Sequence, residues 1–84
     1  MVTMRSFQME LVHGVVSNTL IQKGPKNYSQ RKVRETFRAA REAAEREDRS
    51  QAYLEELFAL SQRLEKIQEL SKDEIDEILT SLQR

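Results

Sequence analysis

Tyr53, Leu57, Leu60, Leu64 and Ile67 follow one another at intervals of four, three, four and three residues. At ~100° per residue this spacing puts all five on one stripe of an α-helix, whereas the faces of a strand alternate every second residue. Leu54, Phe58 and Leu70 flank the stripe. The pattern lasts barely two heptads, so it specifies a bundle contact rather than a long coiled coil. The predicted helix covers residues 49–70.

The other segments follow the same period. Over 3–22, Met4, Phe7, Leu11 and Val15 share one line, and Met9, Val12, Val16 and Leu20 widen it past half the circumference. Ser6, Glu10, His13 and Ser17 leave only a narrow polar strip. A helix apolar over so much of its surface lies between neighbours or docks on a partner. Gly14 costs it ~1 kcal/mol relative to Ala and is expected to admit another helix closely. Gly24-Pro25 breaks the chain: Gly24 is expected in the left-handed conformation that ends helices, and Pro25 blocks continuation.

Ser29 is the expected N-cap of a helix over 30–46, whose inner line is Val33, Phe37, Ala40 and Ala44. Asp48 with Gln51 resembles a capping box and suggests a short turn, a continuous helix being the alternative. Ser71 and Glu74 form a second box, opening a helix over 72–83 with Ile75, Ile78, Leu79 and Leu82. With 2 Gly, 1 Pro and this period throughout, the expected fold is all-α: a small antiparallel bundle of about four helices, one domain over 1–84. Leu11, Phe37, Leu57, Leu60 and Leu64 are its expected core.

The formal net charge of zero hides a division. Residues 23–46 carry eight bases against three acids, a net +5, and residues 47–84 carry five against ten, a net −5. Arg31, Arg34, Arg38 and Arg41 fall within an arc roughly 80° wide, turned away from the apolar line, and extend over ~15 Å. Helix stability does not explain this row. In Arg31–Glu35, Arg38–Glu42 and Arg41–Glu45 the base precedes the acid, the weaker order. Arg31 and Lys32 also oppose the dipole in the first turn. The pattern points to an acidic partner, with Lys23, Lys26, Arg31, Lys32, Arg34, Arg38 and Arg41 as the residues that meet nucleic-acid phosphates, whether of RNA or of single-stranded DNA, without reading sequence. Tyr28, in the basic loop, either stacks on a base or packs on the core.

Catalytic chemistry is not expected. His13 is the sole histidine, with no ligand cluster beside it, although Glu10 one turn earlier could orient its ring. No acid–base–nucleophile set has an oxyanion hole, and Gly24-Pro25 lacks the pattern of a phosphate loop. Neither cofactor nor metal is implied. Zero Cys rules out disulfides and suits a reducing cytoplasm. The first residues do not read as a signal peptide, and no apolar run approaches the ~18 residues of a membrane span. The connection over 23–29 is longer than the ~3–4-residue turn of a DNA-reading helix-turn-helix.

A small, cysteine-free, helical chain with the row Arg31–Arg34–Arg38–Arg41, Lys23 and Lys26 resembles the small subunits of CRISPR–Cas effector complexes. The resemblance is one of type and carries no diagnostic motif. It implies a non-catalytic subunit of a larger ribonucleoprotein, stacked along the complex, with basic helices on the phosphates of guide RNA or displaced DNA and acidic helices toward protein neighbours. The alternatives are a protein-binding helical module, antitoxin-like or a phage inhibitor, whose basic ridge meets an acidic protein, and an adaptor that oligomerises to complete its core.

Overall fold

The computed structural model describes residues 4–83, with side chains from residue 7 onward. Thr3, the expected start of the first helix, and the side chains of Met4 and Ser6 lie outside those residues. Four helices follow one another: α1 (Met4–Lys23), α2 (Gln30–Arg46), α3 (Ser50–Glu65) and α4 (Lys72–Leu82). No strand occurs among the described residues. Glu10 meets Arg41 and His13 meets Phe37, so α1 and α2 run antiparallel. The Tyr53 hydroxyl reaches back to the Phe37 carbonyl across the α2–α3 turn, which makes the next pair antiparallel as well. Asp76 of α4 bonds Tyr28 and Lys32, holding α4 against the start of α2.

The starts of α2 and α4 have local causes. The Ser29 hydroxyl accepts from the Lys32 amide at 3.2 Å, and Ser71 and Glu74 form the expected reciprocal box. The α2–α3 turn is built differently from expectation. Asp48 is not an N-cap; it takes φ 56°, the left-handed slot. Its amide donates to the Glu45 carbonyl at 3.4 Å, and the Arg49 amide donates to the Ala44 carbonyl at 2.7 Å. That pair of bonds is a Schellman motif, with Asp filling the position usually held by Gly. Helix α3 itself starts without a side-chain cap.

The end of α3, expected at 70, is found at Glu65. No Gly or Pro stops it. The Lys23 ammonium, at the end of α1, donates to the carbonyls of Leu64 and Ile67, and the Leu70 amide donates to the Lys23 carbonyl at 2.8 Å. Lys23 thus ties down the carbonyls at and just beyond the end of α3, and the chain turns aside so that Leu70 enters the core, 4% exposed.

The core is continuous through all four helices. Phe37, Leu57, Leu60 and Leu64 are buried as expected, but Leu11 is 55% exposed, with Phe7 and Val15 at 56% each. The side of α1 that faces inward carries Met9, Val16 and Leu20 instead, and Ser17 is buried with them. The apolar arc of α1 is wider than α2 and α3 can cover, and α2 takes its His13–Ser17 edge. Phe58, expected beside the core, is 47% exposed.

Gly24 also differs from expectation, since no glycine has positive φ. Its role is steric: a Cβ there would lie 2.6 Å from Ile75 Cδ1 and 2.9 Å from the Leu20 carbonyl oxygen. Ile75 can swing aside, but the α1 backbone cannot. Gly24→Ala is therefore expected to cost about 1–3 kcal/mol by overpacking, read as a lower urea midpoint. An unchanged midpoint would show that α4 docks on α1 loosely.

Candidate nucleic-acid interface

Val33, Phe37, Ala40 and Ala44 anchor α2 inward, and that orientation sorts the basic residues by direction. Lys32 lies on the α4 side, 3.3 Å from Asp76 Oδ1 and 5.8 Å from the centre of the Tyr28 ring. Lys26 is exposed in the loop, near Tyr28 and Gln30. Lys23, counted among the phosphate contacts in the sequence, is turned inward to cap α3. The four arginines share the other side of α2, but they are not equivalent. Arg31 Nε bonds Glu35 at 2.8 Å. Arg41 is held by Glu10 at 2.9 Å and Glu45 at 3.3 Å, its side chain 25% exposed.

Arg34 and Arg38 are the exposed pair in the middle, and neither has a carboxylate partner among the described residues. With Arg41 they form one wall of a cleft of about 310 Å³. The opposite wall comes from α1: His13, Gly14, Ser17 and Asn18. The sequence reading missed this second wall. A glycine in mid-helix, beside a polar strip, was the available signal. The structure does not assign Gly14 to close helix packing, since a Cβ there would meet nothing within 4 Å.

His13 reports the local field. Burial holds its pKa below the ordinary value; the Phe37 carbonyl opposes this, the Arg41 and Arg38 charges add to it, and Glu10 opposes it weakly. The imidazole is therefore neutral near pH 7 and stands edge-on to the Phe37 ring at 5.4 Å. Glu10 does not orient it, because the Glu10 carboxylate binds Arg41.

The Tyr28 ring is partly buried against the core, and its hydroxyl donates to Asp76 Oδ1 at 2.6 Å. Burial, with Asp76 beside it, pushes the phenol up to about 12. The Tyr28 hydroxyl, and then Lys32, hold the Asp76 carboxyl below its usual range, against some desolvation. A depressed carboxyl stabilises above its unfolded pKa of ~3.9, and that stability is lost as pH falls through the folded value. A raised phenol stabilises below ~10, and the contribution is lost as pH rises from there toward 12. The urea midpoint of Asp76→Asn should therefore lie below that of the parent at neutral pH, and the gap should close below pH ~4. A gap independent of pH would remove Asp76 from the acid response.

Among the described residues no three His, Cys, Asp or Glu side chains gather as a metal site, and no helix is long and apolar enough to cross a membrane. What the α1–α2 cleft offers is the positive charge of Arg34 and Arg38 and the Asn18 amide beside open solvent, an arrangement suited to an anion. No protein-family model, curated protein or solved structure matches this chain.

Proposed function

We propose that this chain is a non-catalytic subunit of a larger ribonucleoprotein, binding the backbone of RNA or single-stranded DNA without sequence preference. The observation that carries the reading is the pair Arg34 and Arg38, exposed, unpaired among the described residues, and set on one side of α2. An arginine forks onto phosphate oxygens more readily when no carboxylate already holds it. The exposed Phe7, Leu11, Val15 and Phe58 supply surface for protein neighbours. The same ridge could serve an acidic protein, which the test must separate. Resemblance in type to CRISPR effector small subunits makes guide RNA and displaced DNA strands the first ligands to try, and the absence of cysteine suits a cytoplasmic setting.

The test is a salt titration with labelled single-stranded oligonucleotides. Each phosphate contact contributes roughly 0.7 to the slope of log K against log[salt] for a single strand. Arg34→Ala and Arg38→Ala should each lower that slope by about one contact, equally for different sequences. Binding that ignores both salt and these substitutions would leave the protein-binding module as the surviving function.

A further inference from the structure

We propose that the cleft between α1 and α2 is a discrete phosphate seat, taking one backbone phosphate of a single strand between Arg34 and Arg38 on one wall and Asn18 on the other, where Gly14 leaves the α1 wall without a side chain. The inference rests on the nucleic-acid reading and deepens it, from a basic ridge that attracts a strand to a pocket that fixes where one phosphate sits.

Three observations converge on it. The cleft has about 310 Å³ of space and is open to solvent, so a phosphodiester group can enter it from the surface. Its two free cations are the two arginines that no described carboxylate neutralises. Arg41 lines the same wall but is already paired with Glu10 and Glu45, so the charge free for an anion comes from Arg34 and Arg38.

Gly14 supplies the third. It weakens α1, and the fold gains no close contact in return, because the space where its Cβ would stand is empty. Gly14 itself lines the α1 wall of the cleft. The Ser17 hydroxyl is buried and donates to the Gly14 carbonyl at 3.2 Å, so it is not the donor that meets an anion. Asn18, one residue further, is exposed and presents amide donors from the same wall. His13 stays neutral at the cleft margin and, as the sole histidine, gives the pocket its own spectroscopic reporter.

The experiment compares the full chain with Gly14→Leu, Asn18→Ala and the Arg34→Ala/Arg38→Ala pair. The probe is a fluorescein-labelled 20-nucleotide single strand of mixed sequence, as RNA and as DNA, at low salt. Gly14→Leu should melt at a higher temperature, since Leu is the better helix former, yet bind about fivefold more weakly, the effect of one lost contact near 0.1 M salt. Asn18→Ala should weaken binding by a smaller factor. The His13 ring resonances should shift on adding the strand to the parent chain and stay still in Gly14→Leu. If Gly14→Leu binds like the parent while the arginine pair loses binding, the ridge holds nucleic acid and the phosphate seat is wrong. If the parent shows no salt-dependent binding at all, both readings fall. An acidic peptide that competes as well as the oligonucleotide overturns the phosphate assignment in favour of a protein ligand. Should Gly14→Leu misfold, unmoved His13 resonances in the parent and full affinity in Asn18→Ala overturn the seat alone.

Discussion

Phe37→Ala should lower the stability of the fold by about 3–5 kcal/mol, enough to unfold much of the population. Phe37 is 0% exposed. It provides the one large apolar side chain of α2, whose remaining inner line is Val33, Ala40 and Ala44. Its ring supports His13 on α1, and its carbonyl accepts from Tyr53 on α3. Truncation opens a cavity where three helices meet, and the surrounding alanines are too small to collapse into it. At ~0.05–0.15 kcal/mol per residue, a chain this short holds only about 4–13 kcal/mol in total. Urea denaturation followed by far-UV circular dichroism measures the loss. Leu11→Ala is the control. At 55% exposure it should change stability by less than about 1 kcal/mol, although the periodicity of α1 makes the two positions look alike. Equal losses at Leu11 and Phe37 would mean that α1 turns its other side to the core.

Reversing the charge at both free arginines, Arg34→Glu with Arg38→Glu, should abolish retention of nucleic acid while leaving the subunit folded and incorporated. Two lost phosphate contacts at about 0.1 M salt account for roughly 25-fold, at ~0.7 decade each, and the introduced carboxylates add repulsion to that loss. Stability should hardly move, because neither side chain has an ion pair within the described structure. The same reversal at Arg41 would be a poor test, since it breaks the Glu10 and Glu45 contacts that tie α1 to α2. Measurement is by anisotropy on the isolated chain and by sequencing nucleic acid retained with the assembled complex. Unchanged retention with the doubly reversed subunit in place would make the ridge a solvated surface and favour an adaptor.

The sequence determined what is decided within about four residues of chain. Helix α2 runs over Gln30–Arg46, the span its spacing predicts, because Ser29 caps the third amide after it. The box at Ser71 fixes the start of α4 in the same way. The apolar period likewise placed Phe37, Leu57, Leu60 and Leu64 inside. These signals are short-range hydrogen bonds and one-helix geometry, and a linear reading contains them in full.

Tertiary structure decided whatever depends on residues brought together from afar. Lys23 ends α3 by bonding carbonyls 41 and 44 positions away, so it is a cap rather than a free cation, and no local pattern announces the stop at Glu65. Helix α1 is apolar on both sides, so only the seating of α2 and α3 chose Met9, Val16 and Leu20 over Leu11. The arginine row looked uniform in sequence. Neighbouring carboxylates divide it, neutralising Arg31 and Arg41 and leaving Arg34 and Arg38, while the wall that faces them comes from α1. Charge along a chain is a local property, but which charges stay unpaired depends on what the fold places beside them.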